Sequence, residues 1–420
     1  MKTAEPDGER LVPAGWRTIP RGIWALGFVS LFMDTSSELI HSLLPVFLVS
    51  VLGASTLSVG LIEGVAEATA SITKVFSGTL SDYLGKRKML TVIGYGLAAL
   101  TKPMFPLAGS AAWIFTARFL DRIGKGIRGA PRDALIGEIA PSHLRGACYG
   151  LRQSLDTVGA FAGPLLAVAF MVLLANDIQA VFWIAVIPAF ISVAILILAV
   201  KEPQTTRPPG DSKGETKGEA RSPIQFQDLH QVGAPYWWLV IVGAVLALAR
   251  FSEAFLVLRA ENVGLSIALV PLVFVVMNAV YAASAYPAGT LSDRMDRRYI
   301  LAIGFVVLIV ADVVLALATG IGMVIAGVVL WGLHMGLTQG LLAAMVADTA
   351  PAKIRGTAFG IFNMATGLAL LGGNVAAGWL WDTFGPSGTF LMGAGITSVS
   401  LAGLVALRGG GRSLRHEDEG

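Results

Sequence analysis

Charge is scarce in this chain. Of its 420 residues only 14% are Asp, Glu, Lys or Arg, against 55% hydrophobic, whereas a soluble protein carries roughly 25% charged residues. Such a chain cannot cover itself with polar surface, so a water-soluble globule is excluded and its surroundings must be largely lipid. Cysteine is nearly absent: Cys148 is the one in the chain, which excludes an intramolecular disulfide and reads as a small buried apolar residue. No Gly-x-x-x-x-Gly-Lys-Ser/Thr loop occurs, so nucleotide hydrolysis has no seat. No metal-ligand cluster and no nucleophile–base constellation rises above the charges discussed below, so neither a metal, a cofactor nor an enzymatic activity is expected. Residues 1–21 are polar with both charge signs and suggest no removable signal peptide. The small net charge of +3 comes mostly from loop bases and does not point to nucleic acid.

Long apolar runs are what the chain has instead. Hydropathy gives twelve segments, at roughly 22–50, 57–81, 89–108, 111–138, 144–175 and 178–200, then 235–258, 265–290, 299–319, 321–348, 354–382 and 387–407. Each reaches the ~20 residues that cross a hydrocarbon core as helix, and none shows the period-two alternation of a membrane barrel. The expected fold is an all-α polytopic membrane protein with twelve transmembrane helices in two six-helix pseudo-repeats. The expected divisions are a tail over 1–21, a bundle over 22–200, a linker over 201–234, a second bundle over 235–407 and a tail over 408–420. The linker, with Pro208-Pro209-Gly210 and alternating Lys and Glu, reads as solvated. Lys86, Arg87, Lys88, Arg132, Arg145, Lys201, Arg294, Arg297, Arg298, Lys353, Arg355, Arg408, Arg412 and Arg415 fall on one side of the spans, with Arg259 the clear case opposite. The positive-inside rule then puts both termini and the linker in the cytoplasm of an inner-membrane protein.

The two bundles are copies. Gly78-Thr-Leu-Ser-Asp82-Tyr-Leu-Gly-Lys86-Arg87 recurs as Gly289-Thr-Leu-Ser-Asp293-Arg-Met-Asp-Arg297-Arg298, and Ala140-Pro141-Ser-His-Leu-Arg145-Gly146 as Ala350-Pro351-Ala-Lys-Ile-Arg355-Gly356. Two phrases in the same order at nearly one offset indicate duplication of a whole unit. The phrase at Asp82 resembles the cytoplasmic loop signature of the major facilitator superfamily. Arg118-Phe-Leu with Gly124 and Gly126 is similar to that family's fourth-helix motif, and Gly159-Ala-Phe-Ala-Gly163-Pro164 to its antiporter-associated fifth-helix motif. The resemblance spans residues ~22 to ~407 and implies a secondary transporter, of drug/proton-antiporter type. In the loop, an acid at a helix end accepts from the amides of a neighbouring helix start while the bases meet acids of the other half. Asp82, Lys86, Arg87, Asp293 and Arg297 are thus expected to form a gate, with Gly159, Gly163 and Pro164 supplying close packing and a bend.

The fourth segment breaks the apolar rule. Arg118, Asp121, Arg122, Lys125, Arg128, Arg132 and Asp133 fall inside roughly 140° of a helix, and its four central bases facing lipid would cost on the order of 10 kcal/mol. They must look into the bundle. Partners stand nearby in sequence: Asp34, Glu38 and His41 on the first segment, Glu63, Glu67 and Lys74 on the second, Lys102 on the third, Arg152 and Asp156 on the fifth. The second copy keeps few charges, Arg250, Glu253 and Asp312, but offers Asn278, Tyr281, His334 and Asn363. Proton coupling is expected at Asp34, Glu38, Asp121, Glu63 and Glu67. Substrate contact is expected at Arg118, Arg122, Lys125, Arg152, Asp156, His41, Asn278, Tyr281, His334 and Asn363, because intramembrane ionisable groups mark transport pathways. The expected activity is movement of a small organic solute by alternating access in a monomer surrounded by lipid, as proton antiport and hence efflux. An importer or exchanger of an organic anion, bound by the fourth-segment bases, is the second reading, and a membrane receptor that has lost transport a remote third.

Overall fold

The computed structural model describes residues 18–84, 86–202, 233–292, 295–349 and 355–413. Asp293, the side chain of Asp82, and most of the expected linker and tails lie outside them, so the gating expectation at those two acids falls there too. The described chain is helical throughout. The first half runs α1 Arg21–His41, the single turn α2 Leu44–Val46, α3 Thr56–Leu84, α4 Arg87–Thr101, α5 Ala111–Ile139, α6 Arg145–Leu173 and α7 Ile178–Ala199. The second runs α8 Ala234–Ala249, α9 Ala254–Asn262, α10 Leu272–Ser292, α11 Arg297–Leu317, α12 Ile321–Thr349, α13 Arg355–Phe384 and α14 Pro386–Ser413.

Nine helical stretches among the described residues are long and apolar enough to cross a membrane. The three expected spans missing from these nine are α3, α4 and α5. Helix α4 has only 15 residues before a 3-10 turn at Lys102–Met104, while α3 and α5 carry the charges noted above. Helices α3 and α5 supply most of the charged wall described below, so for these two the weak apolar signal and the site share one cause.

Packing repeats between the halves. α1 lies along α6 and α7, and α5 along α3 and α4; likewise α8 lies along α13 and α14, and α12 along α10 and α11. The halves meet where α3 runs beside α13 and α6 beside α10. Each half's first span is interrupted. α1 stops one turn before Pro45, whose missing N–H cannot continue the ladder, and resumes as α2 and a π-turn at Phe47–Val51. α8 stops at Ala249 and α9 starts at Ala254, with Ser252 N held 2.8 Å from the Asn374 side-chain oxygen. Ser42 and Ser252 are 210 residues apart, matching the repeat.

Candidate functional site: a charged cavity between the halves

Helices α3 and α5 run in the same direction, so matching turns face each other. Glu63 and Glu67 are one turn apart on α3, and Arg118 and Arg122 one turn apart on α5. Arg118 Nε and Nη2 donate to the two Glu63 oxygens at 3.2 and 2.8 Å, a bidentate fork, and Arg122 Nη2 lies 3.1 Å from Glu67. In this register the next base, Lys125, passes Ala70, which is no acid, and Gly126 packs on Thr73 and the Ala70 carbonyl. Lys125 accordingly makes no ion pair with any described residue and stands exposed in the cavity.

The remaining charges pair across neighbouring helices. Lys102 Nζ donates to Asp121 at 2.9 Å and to Ser37 Oγ at 3.0 Å. His41 lies between two acids, Nδ1 3.5 Å from Glu38 and Nε2 3.4 Å from Glu63. Arg152 pairs with Asp156 at 3.1 Å, and Arg128 approaches Asp34 at 4.0 Å and covers the Tyr95 ring.

A cavity of about 240 Å³ opens where the halves meet. Its first-half wall is ionisable: Glu38, His41, Glu63, Glu67, Arg122 and Lys125. The second-half wall mixes apolar side chains, Phe251, Phe274, Met277, Met335 and Leu370, with polar ones, Arg250, Ser252, Glu253, Asn278 and Asn374. The Phe274 ring centroid is 5.2 Å from that of His41. Two grooves adjoin it: one between α6 and α10 with Asp156, Asn278 and Tyr281, the other lined by Ser71, Arg250, Gln339 and Asn363 among others.

Several expectations are redrawn by this geometry. Arg118 and Asp121 are 3% and 4% exposed and consumed by Glu63 and Lys102, behind the cavity wall rather than on it. His334 is fully buried, its Nδ1 2.8 Å from the Gly304 carbonyl oxygen, because α12 packs that face on α11. Tyr281, Asn363 and Asp156 face the grooves, and Arg152 stands beside Asp156. Arg250, Glu253 and Asn374 were missed as site residues, although the interruption of both first spans is a sequence-level pointer to a transporter's binding region. Arg250 and Glu253 form no ion pair with each other.

Among the described residues, two bases of the doubled loop meet acids of their own half. Arg87 pairs with Glu138 at 2.6 Å and Arg297 with Asp348, each inside its own half and each at the same repeat position, because the loop after one helix lands beside the end of the next-but-one. Lys86 is exposed at the start of α4. Gly159 and Gly163 press α6 onto the α1 backbone at Leu31 and Thr35, and Pro164 is buried one residue on; all three lie within one half.

Among the described residues, the hydrogen bonds that join the two bundles lie at the opposite end. The Asp382 carboxylate, at the end of α13, accepts from Thr56 N at 3.1 Å, Leu57 N at 2.9 Å and the Thr56 hydroxyl. It caps α3 from the other half. Thr56 also donates to the Gly378 carbonyl, and Ser50 to Glu261 at 2.5 Å. From there the helices splay. A Cβ on Gly60 would collide with the Asn374 backbone; one on Gly64 would stand 2.9 Å from Leu371, on Gly367 3.3 Å from Ser71, and on Gly360 3.9 Å from Val75. The molecule is closed at the Asp382 end and loosens toward the basic loops.

Comparison with known proteins agrees with this architecture. The sequence profile of the Major Facilitator Superfamily matches residues 26–258 and 238–417. An uncharacterized MFS-type transporter of Methanocaldococcus jannaschii is 31% identical over 393 residues, covering 91% of this chain and 94% of that protein. The inner membrane transport protein YajR of Escherichia coli is 25% identical over 393 residues, covering 91% and 82%. Among solved structures, a peptide transporter POT superposes with a TM-score of 0.75 at 15% identity, over 94% of this chain and 96% of that one, a likeness of fold alone.

Proposed function

Because this chain belongs to the major facilitator superfamily and is a multi-pass membrane transporter rather than an enzyme, we propose that it is a proton-coupled antiporter exporting a small organic solute across the inner membrane. All twelve long helical stretches cross the bilayer, with both termini and the basic loops in the cytoplasm, and the conformation described is open toward that side. The observation that carries the reading is the cavity itself: it lies between halves joined at the Asp382 end, with ionisable groups on one wall and aromatic, methionine and polar side chains on the other. Such a cavity recognises a solute with an apolar body and a polar handle.

The coupling begins at Asp34 and Asp156. Asp156 opens onto the groove between α6 and α10, where water reaches it. Release of a proton from either carboxyl strengthens its pull on its partner, Arg128 for Asp34 and Arg152 for Asp156, and shifts α1 against α6. Glu38 and His41 lie one and two turns further along α1, on the cavity wall, so solute and proton act on one helix. This is a difference in interaction energy between two states, as coupling requires.

Lys125 and Arg250 favour a second reading. Neither has an ion-pair partner among the described residues, and they face the same cavity from opposite halves. A carboxylate or phosphate between them would bridge the halves. Thermal-shift screening of the purified protein against a chemically broad library at two pH values tests both. Export of apolar-bodied compounds predicts stabilisation by cationic or neutral ligands that depends on pH and weakens in Glu67→Gln. Stabilisation by anions alone, abolished in Lys125→Gln, selects the second reading; no ligand response of either kind contradicts both.

A further inference from the structure

The first half holds paired charges, and the second holds a carboxyl with none. Asp312, in the middle of α11, is 0% exposed, and neither oxygen has a hydrogen-bond partner. An ionised carboxylate left so would cost more than a fold's whole margin of stability. The place is nevertheless shaped for a carboxyl. A Cβ on Gly393 of α14 would stand 2.5 Å from Asp312 Oδ2 and 3.1 Å from Phe251 Cε1, so the missing side chain makes the room. Phe251 also lines the central cavity and packs on Trp331 with ring centroids 5.5 Å apart. Phe251, on the unwound segment joining α8 to α9, thus approaches Gly393 beside Asp312 and also borders the cavity.

The other buried polar side-chain atoms without a partner in the described second half are Trp331 Nε1, His334 Nε2, Thr397 Oγ1 and Ser400 Oγ. All belong to α12 and α14, the helices that flank α11. The charged groups around α11 are engaged elsewhere. Arg259 on α9 donates to the Leu315 and Ala318 carbonyls at 3.0 and 2.6 Å. His334 on α12 turns Nδ1 to the Gly304 carbonyl. Arg250 stands on the cavity side, Tyr281 on α10 faces the groove beside α6, Arg297 at the start of α11 pairs with Asp348, and α14 presents no titratable group among its described side chains.

We infer that Asp312 is a proton-binding site of the second half, its carboxyl carrying a proton in this conformation and releasing it to the central cavity when Phe251 swings away. One O–H bond forms on protonation and the same bond breaks on release to water, so no further reactant is needed. A metal cation is a poor occupant, because a cation needs several oxygen ligands and no group of three or more His, Cys, Asp or Glu that could hold one occurs among the described residues. The inference rests on the proton-coupled reading for its role in transport; the proton on Asp312 is read independently of any solute.

Infrared difference spectra of the full chain in lipid, wild type against Asp312→Asn, test it. The expected result is a C=O band of a protonated carboxylic acid at neutral pH that shifts in heavy water, vanishes in Asp312→Asn and is lost at strongly alkaline pH. Phe251→Ala, which opens the site to the cavity, is expected to lose the band at neutral pH. An ionised-carboxylate band in its place, or no difference between the two proteins, overturns the inference. So does an Asp312→Asn protein that fails to fold, since a neutral carboxyl tolerates an amide of the same shape. A band unchanged in Phe251→Ala overturns the release route. If the band behaves as expected while transport proves indifferent to pH, the fault lies with the coupled reading and not with the site.

Discussion

At the residue scale, the sequence already required that Arg118, Arg122, Lys125 and Arg128 be satisfied inside the bundle, because lipid forbids them. Which acid meets which base was not legible. It depends on α3 and α5 running parallel in one register, and that register leaves Lys125 without the acid its neighbours have. The buried pairs are interdependent rather than simply stabilising. Lys102→Met, which strands the 6%-exposed Asp121 side chain, is expected to destabilise the protein by about 3–5 kcal/mol. The double variant Lys102→Met/Asp121→Leu is expected to recover most of that loss. Chemical denaturation in detergent reads both; a single variant as stable as the double one contradicts the pairing.

At the element scale, the helices and the duplication were readable from hydropathy and from the repeated phrases. The interruptions at Ser42 and Ser252 were passed over, although Pro45 on one span and Arg250-Phe-Ser-Glu253 on the other mark them. One inter-half contact was not legible. Loop bases beside a repeated acid suggested a latch at the basic face, where Arg87 and Arg297 also pair inside their own halves; at the other end Asp382, with no counterpart in the repeat, caps α3 across the interface. A helix cap is worth about 1 kcal/mol, so Asp382→Ala is expected to raise the population open at that end roughly fivefold. An impermeant thiol reagent applied from the side opposite the basic loops reads this at Met277→Cys, in a Cys148→Ser background. Equal labelling rates with and without Asp382 would contradict the latch.

At the scale of the whole molecule, the fold was legible because its evidence is global: twelve apolar runs, two copies, one charged face. The solute was not, because it is chosen by a cavity assembled from both halves, whose second wall gathers scattered polar and apolar residues of several helices. Rocking of the halves requires the Asp382 end to part. Joining Ser50→Cys to Glu261→Cys with a short reducible cross-linker is therefore expected to stop transport, and reduction to restore it; undiminished transport in the linked protein would contradict a rocking motion. The most direct measurement is transport in liposomes of a compound that stabilises the purified protein, under an imposed pH gradient. Uphill movement that collapses when the gradient is abolished, and that is lost in Asp34→Asn and Glu38→Gln while exchange at equal pH persists, is the predicted result. Transport indifferent to the gradient, with both variants as active as wild type, would contradict proton coupling through the first half.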